Sequence, residues 1–268
     1  EPTVIFDAGL GGFSLEWLTV QRELAGDAHS CAYDRAGYGF SEIGPGPRIT
    51  SQIVDEFEYL LNVAQLTPPY ILVGHSFGGY NMQYYAKQHP ENVAALVLVD
   101  ASHTEQAQRL SDATVQRRRI GKPRMVTMLA NIDIIKKYPQ DVQPYILALL
   151  GNRKALYTRE NELANFTHSA TEVNRAGALP ILPLTVISRG KRVWSQDPLG
   201  DAREAQWKAM QSELAAQSPL GQHVIAEHSG HMVHLDEPYV IAQAIRALLT
   251  DATVRPAATV KPALTFRD

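Results

Sequence analysis

Cysteine occurs once in 268 residues, at Cys31, which excludes an internal disulfide framework and any metal site built from several thiolates. Long apolar runs are missing as well. Spanning a bilayer takes roughly 18 consecutive apolar residues, and the longest core-like run, Val93 to Val99, has seven. The sequence therefore reads as a soluble protein, with cytosol and export both open. Nor is there an excess of positive charge: the net charge of −3 is small and of the wrong sign for a nucleic-acid partner. Glycine (18) and proline (16) follow no period, which excludes collagen-like and low-complexity classes. The chain opens on Glu1 rather than Met, directly before an apolar run, so no signal peptide is there to be read.

What is present is a globular composition, 45% hydrophobic and 20% charged, in a chain long enough for one α/β domain with an insertion. Short apolar runs alternate with helical patterns. The runs are Thr3 to Phe6, His29 to Tyr33, Tyr70 to Val73, Val93 to Val99, Leu182 to Ile187 and His223 to Ala226. Their continuous Val/Ile/Leu character predicts a mostly parallel sheet covered on both faces. Helices are expected at Ser14 to Ala25, at Ser51 to Leu66 with Ser51 as N-cap, at Phe77 to Gln88, and after Asp236 with Pro238 in the first turn.

The rhythm breaks after Val99. Residues 102–179 read as a helical insertion, with short amphipathic segments around Met125, Met128 and Leu129 and around Ile146 to Leu150. The core is then 1–101 and 180–250, followed by an extended tail over 251–268. Charge divides along the same lines: residues 101–180 carry 12 Lys and Arg against 7 Asp and Glu, the rest 13 against 21. A positive insertion could draw anionic substrates over a site, although the cluster Arg117, Arg118, Arg119, Lys122 and Arg124 also fits a solvated helix face.

Gly74-His75-Ser76-Phe77-Gly78 is a G-x-S-x-G placed between a strand and a helix. Such a turn needs close backbone approach that glycine tolerates, and it lifts the serine hydroxyl above the sheet. A serine nucleophile needs a base from another segment. His231, in Ser229-Gly230-His231-Met232 between the last strand and the last helix, emerges at the same sheet edge. His228 and His234 flank it at spacings of three, which invites a metal reading, but no completing carboxylate or thiolate is evident and no metal is expected. His75 and the remaining histidines read as packing or loop residues. The third need is donors for an oxyanion. The N–H of Phe77, at a helix N-terminus, is one; the N–H of Leu10, in the glycine-rich loop Ala8 to Gly12, is the other.

These pieces resemble the α/β-hydrolase fold family over Thr3 to about Leu249. The resemblance rests on "FDAGLGG", "YDRAGYGFSE", the turn at Ser76 and "SGHMVHLDEP", four motifs in the family's order. It implies a cap over the insertion and an acid that orients the histidine. The chain departs from the family in two places. The antiparallel hairpin that usually precedes the first strand is not in this sequence, and where the acid usually follows the strand after the cap the chain reads Ser188-Arg189-Gly190-Lys191-Arg192. Asp100, at the end of "LVLVD", is preferred for the acid by its strand-end position, with Asp197 and Asp201 as alternatives; Asp34 and Arg35 read as loop braces.

The resemblance thus implies a cofactor-free serine hydrolase that forms an acyl-enzyme from a small-molecule ester or lactone. Ser76 rather than Asp as nucleophile disfavours the dehalogenase and epoxide-hydrolase branches. Cleavage of C–C, thioester or amide bonds, perhydrolysis, and a non-turnover receptor using the same pocket are the alternatives.

Overall fold

The computed structural model describes residues 1–110, 134–251 and 254. The expected segment around Met125, Met128 and Leu129, the basic cluster from Arg117 to Arg124 and nearly all of the tail lie outside the described residues. Six strands form one all-parallel sheet: β1 (Thr3–Asp7), β2 (Ser30–Ala32), β3 (Tyr70–His75), β4 (Val93–Val99), β5 (Leu184–Arg189) and β6 (Gly221–Ala226), in the order β2-β1-β3-β4-β5-β6. Connections between parallel strands must cross over a face, and helices supply them, with two more helices after the last strand. They are α1 (Leu18–Glu23), entered through a 3-10 turn over Ser14–Trp17, α2 (Thr50–Val63), α3 (Gly78–Gln88), α4 (Gln106–Arg109), α5 (Gln143–Leu150), α6 (Arg153–Ala164), α7 (Phe166–Arg175), α8 (Pro198–Ala215), α9 (Val233–Asp236) and α10 (Pro238–Thr250).

Side chains alternate across the sheet. Ile5, Leu72, Leu96, Leu98, Leu184 and Val186 pack under α2, α3 and α8. Val4, Phe6, Ile71, Val73, Ala95, Val97 and Ile187 pack on the opposite face with Trp17, Val20, Ile241 and Ile245. The four inner strands are thus buried on both faces, as expected. The outer strands β2 and β6 are not: β2 is half-buried along its length, and β6 exposes Gln222, His223 and Ile225. Each has a neighbour on one side alone.

A second correction concerns α2. Ser51 is not its N-cap; Ile49 is, and the Ser51 N–H and Oγ instead donate to Glu172 of α7. A tertiary partner has taken the side chain that local chemistry offered to the cap. Pro238 does open α10. The helix α8 was not foreseen. Between β4 and β5 the described chain is helical, and α7 packs on α2 and α3 through Ala170 and Val173 against Ile53, Phe77 and Tyr80.

Candidate active site

In an all-parallel sheet the loops at the carboxyl ends of the strands converge, most openly where strand order reverses. Here β1 has β2 on one side and β3 on the other, so the loops after β1 and β3 diverge into a cleft. Gly9, Leu10, Gly11 and Gly12 come from the first of these loops, Ser76 from the start of the second and His75 from the last position of β3. With His231 after β6, they line a cleft of about 800 Å³. Its other walls are largely apolar: Leu110, Ile134, Leu149, Leu150, Leu156, Leu163, Phe166 and Met232.

The turn carrying Ser76 is strained. Ser76 has φ +50°, a region that non-glycine residues enter at a cost. Its N–H donates to Val99 O (3.1 Å), and its carbonyl accepts from Gly79 N and Ser102 N (3.0 Å each), so neighbouring segments fix the conformation. Close packing dictates the glycines on either side. A Cβ at Gly74 would lie 2.7 Å from Gly78 O, and one at Gly78 would lie 2.6 Å from both Asp7 O and Ala8 O. Phe77 caps α3, and neither its N–H nor that of Leu10 has a protein acceptor among the described residues. The Ser76 hydroxyl likewise makes no hydrogen bond among the described residues, and such contacts often tighten only around substrate.

Asp100, the second non-glycine residue with positive φ at a strand end (φ +38°), is fully buried. Its Oδ2 lies 2.6 Å from His231 Nδ1. Oδ1 accepts from Trp207 Nε1 (2.7 Å) and from the Arg189 N–H (3.2 Å), and Arg189 Nη1 lies 3.1 Å from Oδ2. Burial by itself pushes the carboxyl upward. The His231 hydrogen bond and charge, the Arg189 guanidinium and the Trp207 indole outweigh it and hold Asp100 below the usual carboxylate range. The Arg189 guanidinium lies over Trp194 and Trp207, 4.7 and 4.8 Å from their ring centres, and its other arm meets Glu204 at 3.2 Å. The other two acids are engaged elsewhere. Asp197 caps α8 by accepting from Gly200 N, and Asp201 pairs with Arg192 at the surface.

His231 is half-exposed, its side chain 39% accessible. Behind it, His75 Nε2 contacts the His231 carbonyl (2.9 Å), so this histidine packs directly against the candidate site. Burial and the nearby His231 charge push His75 down to about 3. His228, His231 and His234 do not converge. His234 is buried against His75 and Trp17, neither ring nitrogen has a hydrogen-bond partner among the described residues, and its Nε2 lies 3.6 Å from Glu16 Oε2. Burial raises Glu16 to about 8, against the Arg35 charge and the hydrogen bond from Tyr138. Glu16, His75 and His234 could hold a metal ion by donor type and proximity, as could His103, Glu105 and Glu213.

The loop after β1 is braced from beneath. Arg35, buried, donates to Ala8 O (2.5 Å), Gly9 O (2.8 Å) and Asp7 Oδ1 (2.6 Å), and meets Glu162 of α6 at 3.1 and 3.2 Å. Asp34 accepts from the N–H groups of Ser14 and Phe40. Sequence reasoning identified Asp34 and Arg35 as braces. It missed Arg189, Trp207, Glu204, Glu16 and Glu162; for Arg189 the signal was there, as a basic residue where an acid was expected.

A family model described as alpha/beta hydrolase fold matches residues 2–238. The uncharacterized protein YqjL of Bacillus subtilis (strain 168) is 27% identical over 244 residues, 91% of this chain and 81% of that protein. Other relatives match over shorter stretches, down to 15% of their own length. Among solved structures, the enol-lactonase from Burkholderia xenovorans LB400 superposes with TM-score 0.67 at 18% identity, covering 93% of this chain and 92% of that one. A thermophilic esterase from Thermogutta terrifontis gives 0.61 at 19% identity, with 93% and 89% covered. Among the described residues no helix is long and apolar enough to cross a membrane. On the family match over nearly its whole length, the chain belongs to the alpha/beta hydrolase fold family.

Proposed function

We propose that this chain is a cofactor-free serine hydrolase of carboxylic esters or lactones, with Ser76 as nucleophile, His231 as general base and Asp100 as the acid that orients it. The observation that carries the reading is the 2.6 Å contact between buried Asp100 and the half-exposed His231, which shares one cleft with a serine held at φ +50°. An ionised carboxylate at Nδ1 fixes the imidazole tautomer, leaving Nε2 free to take a proton. Ser76 Oγ attacks the acyl carbonyl and its proton passes to His231. The N–H groups of Leu10 and Phe77 receive the negative charge on the carbonyl oxygen, aided by the α3 dipole. As the C–O bond to the leaving group breaks, His231 returns its proton to the departing alkoxide and the acyl group stays on Ser76. Water, deprotonated by His231, attacks that ester, and release of the acid restores the serine. The helices after β4 act as a cap, with α5 and α6 contributing Leu149, Leu150, Ala155, Leu156 and Leu163 to the cleft. That two structural neighbours are an esterase and an enol-lactonase agrees with ester chemistry.

The test is covalent. A fluorophosphonate should label Ser76 and leave Ser76→Ala untouched, and p-nitrophenyl acetate should release one equivalent of nitrophenol per chain in a burst. Absence of both labelling and burst from folded protein rejects the hydrolase and favours a receptor.

A further inference from the structure

Apart from histidines, the acidic and basic side chains that line the cleft among the described residues are Glu16 and Arg159. Glu16 is nearly buried, and burial keeps its carboxyl largely protonated at neutral pH. Arg159 is exposed, and nothing among the described residues accepts a hydrogen bond from it or pairs with it. Its position is nevertheless constrained. Thr158 and Glu162 lie on a face of α6 that is locked to the core: Glu162 grips Arg35, and Thr158 packs so tightly on Gly37 (φ +92°) that a Cβ there could not fit. At 3.6 residues per turn, Arg159 projects about 60° around the helix from Glu162. Ala155 and Leu163, four residues to either side of it, line the same cleft. The buried ion pair thus sets the rotation of α6 and aims Arg159 at the loop after β1. Its stem rests on Gly11, where a Cβ would lie 3.2 Å from Arg159 Cδ and 3.7 Å from Nε. The guanidinium therefore stands beside Gly11 at the rim of a largely apolar cavity, with no anion among the described residues paired to it.

We infer that the substrate is an anionic ester, one carrying a free carboxylate away from the scissile bond, as in the half ester of a dicarboxylic acid, and that Arg159 binds this carboxylate. The inference rests on the ester-hydrolase reading above and names its substrate class. A guanidinium presents paired N–H donors that match a carboxylate in two parallel hydrogen bonds. A site that is solvated in the free protein loses little by desolvation, and its charge also steers an anion toward the cleft. The apolar walls take the chain between the two carboxyl groups.

The experiment compares monoethyl glutarate with diethyl glutarate. We expect kcat/KM at least tenfold higher for the half ester, a preference that shrinks as salt rises from about 20 to 500 mM. Arg159→Gln should lower the ratio about tenfold, mostly through KM, and Arg159→Glu should turn the preference toward a cationic choline ester. Both variants should melt at the wild-type temperature. Calorimetry on Ser76→Ala tests binding without turnover: the half ester should bind more tightly than the diester, and adding Arg159→Gln should remove the difference. Equal or weaker binding of the half ester, or a ratio unchanged within twofold in Arg159→Gln, overturns the inference. If the diester is cleaved with no preference for the half ester, this inference alone fails. If neither ester is cleaved yet binding keeps the Arg159-dependent preference, the hydrolase reading fails and the carboxylate site stands.

Discussion

Replacing Asp100 by Asn is the sharpest test of how the site works. The substitution keeps shape and volume, but removes a buried charge that sits 2.6 Å from His231 Nδ1. In the proposed mechanism His231 takes the Ser76 proton, and that charge then faces an imidazolium. With charge centres about 4 Å apart and an effective dielectric near 20, the attraction is about 4 kcal/mol. At 1.36 kcal/mol per decade, its loss slows acylation about a thousandfold. The amide can also present N–H to Nδ1, which moves the imidazole proton to Nε2 and blocks the base. The two effects together place the loss near 10⁴ in kcat. Arg189 keeps Glu204 as a partner after the change, so Asp100→Asn should still fold, with a lower melting temperature. The assay is kcat/KM on p-nitrophenyl acetate, with active sites counted by burst titration, alongside Asp197→Asn and Asp201→Asn. Both of these should remain within about threefold of wild type, since one residue caps α8 and the other pairs with Arg192 at the surface. The reasoning is refuted if Asp100→Asn keeps activity within tenfold while either of the others loses several orders of magnitude.

Two further outcomes follow from buried charge. Glu16 is raised from 4.5 to about 8 by burial, so between those values the folded state holds a proton that the unfolded chain releases, and stability falls as pH rises. His75, lowered from 6.5 to about 3, acts oppositely between pH 3 and 6.5. From pH 6.5 to 8 the Glu16 effect is left unopposed by His75, at up to about 1.4 kcal/mol per pH unit; urea denaturation should show this slope in wild type and lose it in Glu16→Gln. Glu162→Gln leaves Arg35 buried with Asp7 as its one remaining carboxylate. A loss of about 3 kcal/mol in urea denaturation is expected, together with a fall in kcat/KM as the loop carrying Leu10 loosens; unchanged stability would show that the pair does not anchor α6.

The parts of the fold legible in sequence are those where one local rule acts without competition. Val93 to Val99 was delimited to the residue because a fully buried inner strand has no polar position to blur its ends. Pro238 marked the start of α10 because a missing N–H costs nothing there. By contrast, α8 escaped notice. Its inward face carries Glu204 and Gln211 among Trp207, Met210 and Leu214, which breaks the apolar stripe by which a helix is recognised. Those two polar residues are buried with hydrogen-bond partners: Gln211 donates to Ala101 O, and Glu204 accepts from Arg189 and from the N–H groups of Val193 and Trp194. The pattern failed because the inward face of α8 meets buried polar partners at the strand ends as well as the core.

The same reasoning explains why the acid of the proposed triad stays open in the sequence among Asp100, Asp197 and Asp201. Strand order β4-β5-β6 puts β5 between the strand that ends at Asp100 and the strand that precedes His231. A contact between the two must pass the end of β5, so the residue there decides whether Asp100 can act. A carboxylate at that position would compete for Nδ1 and repel its neighbour. Arg189 does the reverse: its N–H and guanidinium both face Asp100, and two tryptophans and Glu204 hold its plane in place. The basic residue at position 189 and the acid at position 100 therefore form one arrangement, in which the cation adds to the His231 contact in keeping a fully buried carboxylate ionised. If that is correct, Arg189→Met should raise the Asp100 pKa and shift the acid limb of the kcat/KM profile, and Arg189→Lys, which keeps the charge but not the planar stack, should restore part of the shift. An acid limb that does not move in Arg189→Met would mean that the guanidinium packs against the site without setting its charge.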